Sequence, residues 1–521
     1  MGDIVGKMLD STIAALYKYG KMCYLGEINN KIAEKRVTEE HPEVAVSSAR
    51  HYMRWYMEMR NGGFLTWNSN SRLLLYYAEH ITLEEGKEAG KTAIESAMKF
   101  AEHENRDSLI QDLEKLAAKY DITLDEESAG KEKDNTVPAV KEEKPMDPKD
   151  IIAQVKSYIR QKGFFYPDGV IENLYLSLKA KPFVILAGIS GTGKTRLVRL
   201  FAEALGANGE NGRYKQVAVR PDWSDSSDLF GHLDLNGHFI AGQLTDFLQD
   251  AREHENFPYI LCLDEMNLAR VEYYMSDLLS IMETREWKEN GRIGTDAVSV
   301  EGYGDVDLPE NLYIIGTVNM DETTFPFSKK VLDRANTIEF SYVDLIPDFS
   351  EEPEPLVKKL EVSNSFLRSD YLKIMDCHKE DQENATNYSR ELSDINGILE
   401  KANAHVGYRV RDEVVFYMLY NDKLGLFSED EAMDHEILQK ILPRIQGSSG
   451  AVRDMICELF KHCAEDYEGY RDDSGEVYIK MEAVLAKARK DGKPPRYPKS
   501  AEKLAYMMRR YEEDGFTSYW L

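Results

Sequence analysis

One short segment restricts the fold of this 521-residue chain more than any other feature. The sequence GISGTGKT, residues 188–195, has the spacing GxxxxGK[ST]; it follows an apolar run, FVILA, and leads into an amphipathic segment, TRLVRLFAEALG. In that context the spacing is typical of a phosphate-binding loop, because glycines let backbone N–H groups turn inward around phosphate oxygens. A chance glycine-rich turn, the alternative, would need neither flanking segment. The predicted loop comprises Gly188, Ile189, Ser190, Gly191, Thr192, Gly193, Lys194 and Thr195.

Two residues of the loop have side chains that suit a nucleotide's phosphate groups. Lys194 would neutralise phosphate charge, and the Thr195 hydroxyl would ligate Mg²⁺. The positive N-terminal end of the following helix would face the same phosphates. The segment therefore predicts a nucleotide site that uses Mg²⁺.

The order of elements after residue 150 predicts an α/β P-loop NTPase domain. Helical patterns alternate there with five short, β-branched apolar runs, which is typical of a parallel sheet covered by helices. We place this nucleotide-binding domain at residues 150–347, and a helical lid with a C-terminal helical extension at residues 348–521. The five runs are FVILA (183–187), YKQVAV (214–219), YILCL (259–263), LYIIGTV (312–318) and NTIEF (336–340).

The run YILCL leads directly into two carboxylates, Asp264 and Glu265, in the segment LDEMNLARVEYYMSDLL. In a phosphate-loop enzyme, an acid at the end of a second strand reaches the magnesium shell, and a neighbouring acid can polarise the attacking water. Alternatively, the pair opens and caps the following helix, since Asp is a good N-cap residue. Capping does not explain why a buried strand should run into two acids, so we predict Asp264 on Mg²⁺ and Glu265 on the water. The helix behind them, with its apolar stripe, is predicted to be core.

Polar residues also follow the run LYIIGTV. Asn319 could hold the lytic water, with a turn residue as the alternative, and Asp321 or Glu322 could contact the nucleotide base or Mg²⁺. Arg334 precedes the last predicted strand. In a ring-shaped enzyme an arginine there can reach the neighbouring subunit's nucleotide and stabilise transition-state charge. The alternative for Arg334 is a surface salt bridge.

Residues 1–120 are predicted to form a separate, mainly helical, winged-helix-like recognition domain. Three helical segments precede FLTWNSNSRLLLYY (64–77), which we interpret as a hairpin around residues 68–70. Residues 121–149 are charged and contain proline but few large apolar residues, so we predict a flexible linker.

The third predicted helix of that domain carries Arg50 and Arg54 on one face, with Arg60 nearby and Trp55 and Tyr56 interleaved. Such a face could dock on DNA. A solvated basic stripe around a core-packed tryptophan, or a protein-binding surface, would have the same pattern, and the sequence leaves these alternatives open.

Composition restricts the class of protein. A net charge of −27 argues against coating nucleic acid by charge alone, so any DNA contact would be local or belong to a partner. We find no apolar run of 18 or more residues and no signal peptide at the start, and the five cysteines lack CxxC spacing. We therefore expect a cytoplasmic protein with reduced thiols and no membrane contact.

Five segments, taken in order, resemble an AAA+ module. They are GISGTGKT, VRPDWSDSSDLFG, LDEMNLARVEYYMSDLLSIMETR, NLYIIGTVNMDETT and SKKVLDRA. More narrowly, residues 150–350 resemble the McrB family, the motor subunits of modified-cytosine restriction systems. Membership would imply a homo-oligomer, a hexameric ring that hydrolyses GTP with Mg²⁺ and translocates DNA, which a separate McrC-like nuclease of the PD-(D/E)xK class cuts.

The resemblance also implies roles for individual residues. The implied residues are Lys194 and Thr195 on phosphate and Mg²⁺, Asp264 on Mg²⁺, Glu265 on water, Asn319 as sensor, Arg334 as a finger acting in trans, and Arg409 or Arg411 as a lid arginine reaching the phosphates.

Two departures from the family pattern leave alternatives open. A motif Asn-Thr-Ala-Asp is associated with GTP use in the family, and this chain has Asn319-Met320-Asp321-Glu322 instead, so ATP stays possible beside GTP. Residues 1–120 do not resemble the family's base-flipping domain, so no modified base can be inferred. The alternative function is that of a MoxR-like AAA+ ATPase chaperone that remodels a protein complex.

Overall fold

The computed structural model divides the chain into two compact units, Met1–Lys141 and Glu142–Leu521. The described residues are 9–25, 28, 30–42, 44, 46–63, 71–103, 106–124, 146–289, 291–320, 325–340, 360–464 and 477–520. Most of the linker predicted at residues 121–149 lies outside them. Its last residues belong to a helix that begins at Pro148, with the Asp147 carboxylate accepting a hydrogen bond from the Lys149 N–H.

Every regular element among the described residues of the first unit is a helix, which confirms the mainly helical prediction. Its core includes Tyr17, Tyr56 and Tyr77, whose rings meet edge to face at centroid distances of 5.2 and 5.4 Å from Tyr17. The helices are α1 Asp10–Tyr24, α2 Asn30–Glu40, α3 Val46–Asn61, α4 Ser71–Glu85, α5 Lys87–His103 and α6 Asp107–Lys119.

The hairpin predicted for the winged helix is wrong in the part that the structure describes. Residues 71–77 form the start of α4, and residues 64–70 lie outside the described residues. Leu73, Leu74, Tyr77 and Ile81 are fully buried, a spacing that follows the helical period rather than strand alternation. A fourth helix therefore occupies part of the position predicted for the wing.

The second unit is built on a five-stranded sheet in which every pairing is parallel. The spatial order is β5–β1–β4–β3–β2, and each strand coincides with a predicted apolar run, so the α/β prediction is confirmed. The strands are β1 Phe183–Gly188, β2 Tyr214–Ala218, β3 Tyr259–Asp264, β4 Leu312–Asn319 and β5 Asn336–Glu339.

The central strands β1, β3 and β4 are buried on both faces, and this explains why they are continuous apolar runs, whereas the edge strand β2 is partly exposed. In β1, Phe183 and Ile185 belong to the core on one face, whereas Val184 and Leu186 belong to the core on the other. All residues of β1 and β4 are buried. The ends of these strands therefore have fixed positions, which matters for the site built there.

Helices α7–α14 belong to the α/β region, and α15–α20 form the predicted C-terminal helical region. A π-helix, Ile437–Ile441, follows α17. Among the described residues, no helix is both long and apolar enough to cross a bilayer. The helices are α7 Pro148–Gln161, α8 Val170–Ala180, α9 Lys194–Ala204, α10 Ser227–Phe230, α11 Thr245–Glu253, α12 Val271–Tyr274, α13 Ser276–Ile281, α14 Lys329–Leu332, α15 Gln382–Glu400, α16 Tyr408–Leu424, α17 Glu429–Glu436, α18 Gly450–Cys463, α19 Val477–Asp491 and α20 Pro498–Asp514.

Four short antiparallel strand pairs complete the second unit. They are Gly231–Leu233 with Phe239–Ala241, Glu286–Trp287 with Ile293–Gly294, Val298–Val300 with Gly304–Val306, and Gln446–Gly447 with Thr517–Ser518.

Candidate functional site

The carboxyl ends of four parallel strands meet at one edge of the sheet. In the strand register, Asn319 of β4 lies opposite Gly188 of β1, and Asp264 of β3 lies opposite Ala218 of β2. Ligands of open α/β sheets bind beyond this edge. The fold thus brings together the loop, the carboxylates and the polar strand end that the sequence singled out separately.

The phosphate loop follows β1 and leads into α9. Gly191 and Gly193 have φ angles of 81° and 85°, which a residue with a side chain rarely adopts, so glycine is required at both turns. The Lys194 side chain is folded over the loop, with Nζ donating to the carbonyls of Gly188 (3.0 Å) and Ile189 (2.7 Å). Its ammonium therefore already lies inside the loop, and phosphate oxygens entering there would be alternative acceptors for its N–H groups.

Asp264 is surrounded by neutral donors. The Thr195 Oγ1 donates to Asp264 Oδ1 at 2.6 Å, Thr317 Oγ1 donates to the same oxygen at 2.7 Å, and Gln216 Nε2 donates to Oδ2 at 2.9 Å. A hydroxyl and a carboxylate oxygen at this distance are the hard donors that Mg²⁺ prefers. Thr195 and Asp264 therefore fit the metal, which when bound would neutralise phosphate charge.

Glu265 begins a turn directly after β3. Its φ of 52° is left-handed, an uncommon and strained conformation for a residue with a side chain. Two hydrogen bonds hold it there: its N–H donates to Thr317 Oγ1 (3.1 Å), and Asn319 Nδ2 donates to its Oε1 (3.3 Å). The turn separates the two acids, so that Asp264 contacts Thr195 while Glu265 contacts Asn319. A carboxylate and an amide side by side can accept a proton from a water and orient it.

The capping alternative for the acid pair does not hold. Neither short helix after β3 receives a side-chain capping bond from Asp264 or Glu265. The segment behind them is also not one continuous helix, because it breaks into a 3₁₀ turn, Met266–Leu268, and helices α12 and α13. Its apolar stripe is nevertheless core, since Val271, Met275, Leu278, Leu279 and Met282 are buried.

Arg334 lies in a second cluster, together with Arg409. Arg334 pairs with the Glu283 carboxylate and donates from Nε to the Leu279 carbonyl (3.1 Å), and Arg409 approaches the same Glu283 oxygen at 2.9 Å. Burial, with the nearby Arg409 charge adding to it, lowers the pKa of Arg334. The structure thus groups Arg409 with Arg334 through a shared carboxylate. Arg411 pairs with its neighbour Asp412.

Three residues near the site were missed by sequence reasoning. Thr317 shares a face of β4 with Asn319, two residues away, so strand alternation was a signal that could have found it. Gln216 carries no such signal. Tyr166, which donates to the Gly193 carbonyl at 3.1 Å, lies in a connecting segment before α8, and burial raises its pKa to about 12. Asp321, predicted near the base or metal, lies outside the described residues.

The arginines that suggested DNA binding are each matched by a carboxylate within the first unit. Arg50 pairs with Glu34 at 2.7 Å, Arg54 pairs with Glu58 at 3.2 Å, and Arg60 pairs with Glu85. The interleaved Trp55 and Tyr56 are buried. This face therefore presents little unbalanced positive charge.

Two family models match separate parts of the chain. Residues 183–335 match the AAA domain of the dynein-related subfamily. The matched range includes four of the five sheet strands, β1 to β4, together with Glu265, Asn319 and Arg334. Residues 357–516 match a domain of unknown function (DUF8727), which spans most of the C-terminal helical region.

A curated protein is similar to this chain in sequence. The relative is the type IV methyl-directed restriction enzyme EcoKMcrB subunit of Escherichia coli K12, at 29% identity over 233 residues, 43% of this chain and 48% of the relative. The chain thus spans about half the length of that protein.

Among the solved structures that are similar to this chain are those of a Cytophaga hutchinsonii protein named as an ATPase and of NtrX from Brucella abortus. The first has a TM-score of 0.36 and 16% identity, covering 57% of this chain and 86% of that one. The second has a TM-score of 0.23 and 14% identity, covering 52% and 55%. At these TM-scores neither similarity carries weight.

The family assignment rests on the agreement between sequence similarity and geometry. The matched AAA domain contains the phosphate loop, the acid pair and the strand-end asparagine, and the fold places their side chains at one edge of a parallel sheet. The chain contains an AAA+ domain and is McrB-like in sequence.

Proposed function

We propose that this protein is the nucleotide-hydrolysing motor subunit of a McrBC-like DNA restriction and defence system, with GTP as its nucleotide. The observation that carries the proposal is the hydrogen-bonded chain at the sheet edge, in which Thr195 contacts Asp264, Thr317 bridges Asp264 and Glu265, and Asn319 contacts Glu265. A protein that only binds nucleotide would not need a strained glutamate held beside an asparagine.

The proposed roles follow from position. The loop from Gly188 to Thr195 binds the phosphates, and Thr195 with Asp264 holds Mg²⁺. Glu265 takes the proton of the attacking water, which Asn319 orients. Arg334 acts on the nucleotide of a neighbouring subunit, as in a ring whose interfaces are heterologous.

The partners are proposed from the name of the similar protein and from the resemblance of the motifs. The similar E. coli protein is a subunit of a methyl-directed restriction enzyme. We therefore propose a homo-oligomeric, hexameric ring acting on DNA, with cleavage by a separate McrC-like PD-(D/E)xK nuclease subunit. The compartment proposed is the cytoplasm.

The alternative, a MoxR-like AAA+ ATPase chaperone, gains support from one observation. The arginines of α3 are neutralised by Glu34, Glu58 and Glu85, so this face of the first unit suits a protein ligand better than a phosphate backbone. The neighbouring reading frame discriminates: a PD-(D/E)xK nuclease supports restriction, and a von Willebrand-type metal-binding protein supports the chaperone.

Turnover of GTP and ATP, measured side by side with the full-length protein, tests the proposal. We expect GTP to be preferred, turnover to stop when a chelator removes Mg²⁺, and the rate to rise when the partner nuclease is added. A clear preference for ATP would overturn the GTP assignment. Stimulation by a protein substrate but by neither nuclease nor DNA would favour the chaperone.

A further inference from the structure

Lys440 is a buried cation in the C-terminal helical region that the proposed chemistry does not use. Its side chain is fully buried, and it lies in the π-helix Ile437–Ile441. The Leu442 N–H donates to the Ile437 carbonyl, which closes the wide turn, and Pro443 has no N–H with which to continue it. π-Helical turns are rare and are often found at functional positions.

The Lys440 ammonium holds the backbone on both sides of Arg334. Nζ donates to the Ala335 carbonyl at 3.0 Å and approaches the Asp333 carbonyl at 3.4 Å. Arg444, one turn further along, pairs with the Asp333 carboxylate and donates to the His405 carbonyl at 3.2 Å. Two cations of one short segment therefore fix the peptide groups that flank the arginine.

A buried carboxylate joins this clamp to the base of the phosphate-loop strand. Glu413 of α16 pairs with Lys440 and, at 2.9 Å, with Lys181, which lies two residues before β1. The same helix carries Arg409 one turn earlier, and Arg409 shares the Glu283 carboxylate with Arg334. Helix α16 thus contacts the surroundings of Arg334 at two successive turns.

We propose that Lys440 is a positioning residue for Arg334: it fixes the backbone from which the arginine, paired in this chain with Glu283, would act on the neighbouring subunit's nucleotide. This inference rests on the trans role of Arg334 in the proposed function. A lysine is suited to the task because one ammonium group can donate to two carbonyls and a carboxylate at once. Burial of this ion cluster is costly unless its groups are paired, so the geometry around Arg334 is held by a network with little freedom to shift.

Mixed assemblies of the full-length protein test the proposal. Lys440→Met removes the ammonium but leaves Glu413 paired with Lys181, and it alters no residue placed in the subunit's own nucleotide site. Glu265→Gln subunits keep Lys440 and Arg334 but cannot split their own nucleotide. We expect Lys440→Met alone to lose turnover about tenfold or more with unchanged nucleotide affinity.

In a randomly mixed ring with equal amounts of the two variants, about a quarter of the interfaces combine an intact catalytic site with an intact arginine across it. We therefore expect the turnover of the mixture to exceed the summed turnover of the two variants measured separately. A mixture of Arg334→Ala and Glu265→Gln subunits should recover turnover in the same way. A matched control is Lys179→Met, another buried lysine of this unit, which contacts the Arg368 carbonyl (2.8 Å) and Asp370 (3.3 Å); it should show no recovery by mixing.

The outcomes separate the two ideas. Recovery for Arg334→Ala but none for Lys440→Met would overturn the positioning role and leave the trans arginine intact. No recovery for either, in assemblies of normal size, would overturn the trans arginine itself and the positioning role with it. If Lys440→Met does not fold, Arg444→Gln, which weakens the other side of the clamp, goes through the same mixing and is held to the same outcomes.

Discussion

Charged side chains are held in opposite ways in the two units. At the sheet edge of the second unit, Asp264 accepts hydrogen bonds from Thr195, Thr317 and Gln216, all of them neutral. On α3 of the first unit, Arg54 faces Glu58, a charge of opposite sign, and its two neighbouring arginines are paired in the same way. Among the described residues, Asp264 has no such counter-charge.

This difference indicates where a charged ligand is expected. A carboxylate whose hydrogen-bond donors are all neutral has no positive side chain that competes with a cation such as Mg²⁺, whereas an arginine matched by a glutamate has little charge left for a phosphate. Four substitutions test this distinction between the two units.

Glu265→Gln should have the largest effect. We expect nucleotide binding to persist and turnover to fall by about a hundredfold or more, since the amide cannot accept the proton of the water. The measurement is steady-state hydrolysis together with nucleotide binding. Glu286→Gln is the control, because Glu286 is exposed and pairs with Lys288 at 2.8 Å. If the Glu265→Gln variant hydrolysed nucleotide at the wild-type rate, Glu265 would not be a catalytic residue.

Glu436→Gln tests whether every carboxylate that accepts a hydrogen bond from a neutral side chain belongs to a ligand site, as Asp264 is proposed to do. Glu436 is buried, its Oε1 accepts from Gln439 Nε2 at 2.6 Å, and burial raises its pKa to about 8 despite that bond and the Lys440 charge. The folded protein therefore holds this proton more tightly than the unfolded chain, and wild-type stability falls as the pH rises from about 4.5 to 8, by about 1.4 kcal/mol per pH unit at most.

The glutamine side chain of the variant cannot ionise, so the variant does not lose stability in this way as the pH rises. Relative to the wild type, we expect it to gain stability between pH 5 and 8 in denaturant unfolding, with turnover near normal. Glu429→Gln, at an exposed position of α17, should follow the wild type at every pH. Parallel pH profiles for Glu436→Gln and the wild type would mean that Glu436 is ionised in the folded protein.

Thr317→Val should have a moderate effect. The valine keeps the shape but loses the bond to the Asp264 carboxylate and the acceptor for the Glu265 N–H. We expect turnover to fall about tenfold, since a hydrogen bond to a charged group contributes about 1.5–3 kcal/mol. Thr337→Val is the control, because Thr337 is also a buried strand hydroxyl but lies on β5. Equal losses in both variants would point to stability rather than to the site.

Arg54→Ala should have the smallest effect. An i,i+4 ion pair on a helix contributes about 0.3–0.5 kcal/mol, so unfolding should change little, and we expect DNA affinity to stay the same. Glu58→Ala is the matched control for the other half of the pair. If Arg54→Ala weakened DNA binding tenfold while Glu58→Ala did not, the α3 face would be a nucleic-acid surface after all.

The parts of the fold that sequence reasoning predicted are those in which local signals agree. All five apolar runs became strands of the parallel sheet. Those that form β1, β3, β4 and β5 are almost entirely buried, and a buried run of β-branched residues has few other places in such a fold, whereas β2 lies at the edge and is partly exposed. The hairpin at residues 64–77 failed where the apolar residues Leu73, Leu74 and Tyr77 follow a helical period instead. A short apolar run fits either period, so only the neighbouring helices decided between them.

By itself, the sequence determined the phosphate loop, the strand order along the chain and the acid pair, since glycines, a lysine and a strand-to-acid junction act locally. Tertiary structure alone decided that Thr317 and Gln216 orient Asp264, that Arg334 shares Glu283 with Arg409, and that Lys440 reaches the Asp333 and Ala335 carbonyls. Lys440 lies more than a hundred residues from those carbonyls along the chain, and no local pattern encodes such a contact. Only the packing of helices against the sheet brings these groups together.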